Sequence, residues 1–174
     1  MKKIASLALS ILLIPTSLFG NEMFGYRLFE DVRDTHRADM INAETHNETS
    51  GGFNVVWINP IKPNGSFQYY NFAYDINDYS IQEVVASANM SSMELCEIEM
   101  ETWKGRLERR FKTRLDFDHF SSGGMSTKTY YKNFDEYGWD VRCNEYFDDG
   151  AVAIFIIWRS NELWDAIQEY YDGF

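Results

Sequence analysis

Asp116-Phe117-Asp118-His119 is the densest run of groups in this chain that could act as acid, base or metal ligand. Two carboxylates beside an imidazole could serve a hydrolytic or metal-assisted reaction. In a strand, however, Asp116 and Asp118 project to one side and His119 to the other, so a joint site requires a loop. The stretch 116–126 contains Ser121-Ser122-Gly123-Gly124 and reads as a flexible connection. His36 and His46, with Asp34, Asp39, Glu44 and Glu48 nearby, form a second candidate set, but their ten-residue spacing fits neither a helical pair nor a zinc-finger loop. Asp75-Ile76-Asn77-Asp78 and Asp148-Asp149-Gly150 match fragments of calcium loops without the acidic ladder and distal Glu that calcium needs. Turn chemistry accounts for both. There is no G-x-S-x-G, H-E-x-x-H or phosphate-binding glycine loop. Neither a cofactor nor a metal site is expected. Catalysis by Asp116, Asp118 and His119 stands as the alternative to a binding role.

Only two cysteines are present, Cys96 and Cys143. There is no C-x-x-C, and no His lies near either in sequence, so a disulfide is expected rather than a nucleophile or metal pair. Closing a 47-residue separation is worth about 4 kcal/mol in the chain-entropy model.

That pairing presumes an oxidising compartment, and the first twenty residues point to one. Lys2 and Lys3 precede an apolar run, Ile4 to Ile14, which Pro15-Thr16-Ser17 breaks before Gly20. This is the layout of a secretory signal peptide, with cleavage expected after Gly20 and a periplasmic or secreted product. The run is well short of the roughly 20 residues of a membrane span, so no stable membrane insertion is expected once the leader is gone. Its loss moves the formal charge from −11 to −13. So acidic a chain repels nucleic acid and attracts basic partners.

The remaining 154 residues suffice for one domain: an N-terminal strand and polar loop over 21–52, then a single α+β unit over 53–174. Its best-specified element is a helix over 91–112. Met93, Cys96, Met100, Trp103, Leu107 and Phe111 form one apolar stripe at steps of three and four. Ser91 with Glu94 reads as a capping box, and acids before bases along the helix suit its dipole. Strands are expected over 24–29, 53–61, 66–76, 81–88, 127–134, 139–147 and 151–158, and a closing helix over 161–172. The expected fold is an antiparallel sheet of about six strands with both helices on one face, three strands and a helix arranged twice as a possible repeat.

Several of these elements together resemble an uncharacterised family of small exported bacterial proteins, over roughly residues 24–112. The shared features are Phe24-Gly25, then Pro60, Pro63, Phe67 and Tyr70 around a turn. Ile81, Val84 and Ala86 follow in a strand, and Cys96, Leu107 and Phe111 in a helix. The resemblance implies export and an α+β domain and carries over no catalytic residue.

The chain has 13 Phe, 11 Tyr and 5 Trp, most of which must fill the core. Tyr69-Tyr70, Tyr130-Tyr131 and Tyr170-Tyr171 are adjacent pairs, and in a strand one member of each must face away from the core. Tyr is amphipathic and costs little to order, which suits contact surfaces. The expected contact face is the outer side of the strands at 66–76 and 127–134, with Tyr69 or Tyr70 and Tyr130 or Tyr131 as anchors. The favoured reading is a binding domain without catalysis whose partner is a protein or an envelope component, and the acidic surface with outward tyrosines suits a basic one. Inhibition of a basic, wall-degrading enzyme is one such role.

Overall fold

The computed structural model describes residues 22–35 and 52–172. The expected leader and both histidines of the second candidate set lie outside those residues, as do the side chains of Tyr170 and Tyr171.

A short helix α1, Val32–Thr35, precedes strands β1 Phe53–Trp57, β2 Tyr69–Asp75 and β3 Ile81–Met90. Helix α2, Met93–Phe111, leads to β4 Asp116–Ser122, β5 Met125–Asn133, β6 Tyr137–Tyr146 and β7 Val152–Ser160. Helix α3, Asn161–Asp172, follows β7 directly. The seven strands form one antiparallel sheet in the order β1-β2-β3-β7-β6-β5-β4. The protein is therefore α+β, with seven strands where about six were expected.

The added strand is β4, which occupies the expected loop. Gly123 and Gly124, with φ of +60° and +82°, make a two-residue turn that pairs Ser122 with Met125 and sets the register of the hairpin. Conversely, the N-terminal segment is not an edge strand. Phe24 and Gly25 turn the chain at positive φ, and only isolated bridges form, Met23 with Tyr26 and Asp31 with Ser80. The Gly25 turn also sits so close to Ile61 that a Cβ there would meet the Ile61 Cβ at 2.6 Å. This strap buries Met23, Tyr26, Leu28 and Val32 in the same core as the sheet.

β7 is central, and its alternate residues Ile154, Ile156 and Trp158 are wholly buried under α2, with Val84, Ala86, Val141 and Cys143 beside them. Cys96, Met100 and Leu107 form the buried line of α2, and Met93, Trp103 and Phe111 pack at its margins. The predicted stripe is thus the one that docks. The cap is one residue later than expected: Ser92, not Ser91, accepts the Leu95 amide, and Lys112 closes the helix in a left-handed conformation. The Cys96–Cys143 disulfide ties α2 to β6, with Cα atoms 6.0 Å apart.

The two helices do not share a face. In β1 and β2, Val56 and Phe72 join the core beneath α2, while their neighbours Phe53, Val55 and Ala73 meet Leu163, Ala166 and Ile167 of α3. Adjacent strand residues point to opposite sides, so α3 lies across the far face. Helical periodicity shows that a helix has an inner side, not which side of a sheet receives it. With four strands in the second half and its helix on the other face, the two halves also differ in space. Among the described residues no helix is long and apolar enough to cross a membrane.

Candidate functional site

α3 leaves β7 and packs towards β3, β2 and β1, so it shields only one half of its face. On the other half no described element covers β4, β5 and β6. There a groove of about 330 Å³ opens, lined by side chains of β4–β7 and the start of α3. Strand alternation builds it. Trp139, Val141 and Cys143 point into the core, so Asp140 and Arg142 between them must point into the groove. By the same rule, Arg159 lies opposite the buried Trp158.

The groove floor is polar and charge-balanced. Arg142 grips Asp140 through two parallel bonds, Nε to Oδ1 at 2.8 Å and Nη2 to Oδ2 at 2.6 Å. Burial is the largest single influence and works against the Arg142 charge, but Asp140, Glu83 and Tyr146 together outweigh it and the pKa is raised overall. Arg159 Nε donates to Glu83, and its guanidinium lies 5.3 Å from the centroid of the Trp164 ring. Thr127 donates to Asn144 at 3.0 Å in a fully buried pair. Thr129 Oγ1, also buried, has no hydrogen-bond partner among the described residues. Half-exposed Phe120 and Trp164 supply apolar surface to the lining. The alternation Trp139-Asp140-Val141-Arg142-Cys143 was the signal in sequence for this floor. Phe120 and Trp164 carried none.

Asp116, Asp118 and His119 do not converge. All three are exposed on β4, and the strand sends the His119 ring to the α2 side, where Nε2 meets Ser126 Oγ at 3.2 Å. Asp118 accepts the backbone amide of His119 at 2.7 Å rather than its ring, and Asp116 pairs with Lys132 at 3.2 Å. The proposed hydrolytic or metal-assisted site is therefore dismantled by the alternation of an edge strand. Among the described residues no three His, Cys, Asp or Glu side chains group as metal ligands. The two calcium-like fragments are Asx turns: Asp75 accepts the Asn77 amide at 2.6 Å, and Asp149 accepts the Ala151 amide at 2.8 Å. Within the first of them, hydrogen bonds from Ser80 lower the Asp78 pKa.

The tyrosine pairs split as alternation requires. Tyr70 is buried, with its hydroxyl bonded to the Asn64 amide and carbonyl, each at 2.8 Å. Tyr69 is exposed and meets the exposed Trp57 edge-on at 6.4 Å. Tyr130 faces α2, where its hydroxyl donates to Glu101, a bond that, with burial, raises its pKa. Lys104 caps the Tyr130 ring at 4.2 Å. Tyr131 faces the groove. The outward members are therefore Tyr69 and Tyr131, on the face that carries α3 rather than a face free of helices. Between β2 and β5 lie three strands, so the two tyrosines sit roughly 19 Å apart across the sheet and belong to separate patches. Comparison with protein-family models, curated proteins and solved structures gives no match to this chain.

Proposed function

We propose that this chain is an exported, disulfide-stapled binding domain, periplasmic or secreted, whose partner is a basic protein or envelope component. The observation that carries the reading is the β4–β5 end of the sheet, whose groove side no described element covers. There exposed Phe120 and Asp118 line a groove, and exposed Phe117 lies on the other face of the same edge strand beside Tyr130. Half-exposed aromatics beside unburied carboxylates are surface that folding leaves unspent and that a cationic partner can cover. The formal charge of −11 adds attraction at long range. Inhibition of a basic wall-degrading enzyme fits this reading as one case.

The test uses the mature protein immobilised against an envelope extract, and against lysozyme as a defined basic wall-degrading enzyme. Retention is expected at low salt, slower association at high salt, and weaker retention for Phe120→Ala and Trp164→Ala. Equal retention by those variants, or none at low salt, overturns the reading.

A further inference from the structure

β4 ends the sheet, and its outer side meets no other strand among the described residues. The turn at Gly123-Gly124 decides which backbone groups that edge offers. In such a hairpin the residues flanking the turn, Ser122 and Met125, form a hydrogen-bonded pair, and bonded and non-bonded pairs then alternate. Phe120, Asp118 and Asp116 fall on bonded pairs with β5. Phe117, His119 and Ser121 fall on the others, so their amides and carbonyls point away from the sheet. One hydrogen bond agrees independently: the His119 amide is bonded not to β5 but to the Asp118 carboxylate at 2.7 Å.

Natural sheets blunt such edges with charged side chains, Lys above all, with Pro, bulges or very short strands, and of these β4 has the charges of Asp116 and Asp118 alone. β4 has seven residues, all exposed, contains neither Pro nor Lys, and pairs with β5 in unbroken register. Its side chains alternate in character. Asp118 and Phe120 line the groove, Asp116 reaches to Lys132, and Phe117 and His119 point to the α2 side. A second copy of this chain would bring two such acidic strands together on two bodies of charge −11 each. A basic strand would neutralise Asp118 and compete with Lys132 for Asp116. Its alternate cations would lie beside Asp116 and Asp118, and its apolar residues beside Phe117.

We propose that β4 is a docking edge that takes an extended basic segment of a partner protein as an eighth strand, held by the outward backbone groups of Phe117, His119 and Ser121. This rests on the reading that the β4–β5 end is the contact surface. It adds the mode of recognition: backbone pairing, with charge deciding the sequence. Asp118 acts as the gate, because a docking carbonyl must displace its carboxylate from the His119 amide.

The probe is a synthetic peptide alternating lysine with valine or threonine, its controls being the aspartate counterpart and a copy N-methylated at alternate amides. Binding is read by titration of the whole mature protein, with amide hydrogen exchange locating it. The lysine peptide is expected to bind and to slow exchange at Phe117, His119 and Ser121. The N-methylated copy, having lost at least one bond, is expected to bind about tenfold more weakly. Ser121→Pro removes an outward donor without touching the β5 ladder and is expected to weaken binding similarly, while Ser121→Ala binds as the parent does. Protection elsewhere, or equal binding of the N-methylated copy, overturns the docking edge. Retention of lysozyme or an envelope protein in the same experiment would still leave the basic-partner reading standing. Equal binding of the aspartate peptide overturns the charge argument. A dimer that Ser121→Pro dissolves assigns the edge to a second copy and overturns the basic occupant.

Discussion

Trp139 on β6 and Trp158 on β7 face each other across the strand pair and stack, ring centroids 5.1 Å apart and planes within 10° of parallel. Phe111 of α2 closes on Trp139 at 5.2 Å, and Tyr137 meets Trp158 edge-on at 5.9 Å. These rings join the last turn of α2 to the middle of the sheet. Trp158→Ala is expected to cost about 3–5 kcal/mol in urea unfolding, and a cost under 1 kcal/mol would show that the stack is incidental.

The disulfide gives a second expectation. Unfolded, unreduced protein should show no free thiol, because Cys96 and Cys143 are paired. Cys143→Ala should lower stability by roughly 2–5 kcal/mol. Reductant should have a comparable effect on the parent protein and none on the variant.

Glu83 and Arg159 form a cross-strand pair whose side chains are 11% and 15% exposed. Removing one partner strands the other charge. Arg159→Met is expected to destabilise by about 3 kcal/mol, and adding Glu83→Leu should recover most of the loss, since an apolar pair of similar volume avoids the desolvation cost. Simple addition of the two single effects in a double-mutant cycle would refute the coupling.

Tyr26 is wholly buried, and burial pushes its hydroxyl up to about 12, against a smaller opposing effect from the Ile61 backbone. The unfolded chain loses this proton near pH 10, so the folded state alone holds it above that pH. The stabilisation is therefore complete below about pH 10 and is lost as pH rises towards 12, roughly 2–3 kcal/mol in all. Tyr26→Phe should flatten the decline in urea midpoint over that window. An unchanged decline would place its origin elsewhere.

α2 and its cysteine were legible because a long apolar stripe has one physical solution: bury it. β4 was not, because Asp116 to Ser122 buries neither face and so carries no alternation of apolar with polar. What makes it a strand is its hairpin partner, and Gly123-Gly124 serves equally for a loose loop or a two-residue turn until both strands are known. The tyrosine pairs show a similar limit. Alternation requires one inward and one outward ring, but only the register of β2 and β5 decides that Tyr70 and Tyr130 meet the core or α2. The groove floor was half visible, in the charges interleaved with Trp139, Val141 and Cys143. Its walls come from β4 and α3, whose placement on the far face no local pattern encodes.

The staple also makes part of the chain a closed ring. Residues 96–143, joined by the disulfide, enclose α2 from Cys96 onward, the whole β4–β5 hairpin and the greater part of β6. The exposed turn at Gly123-Gly124 lies on that ring, at the tip of the acidic hairpin. A protease cutting there would open the ring without producing two molecules, and reduction alone would leave the chain continuous. Only the two events together would separate the docking edge from its neighbours, so β4 and β5 are held against loss by two connections that fail under different conditions.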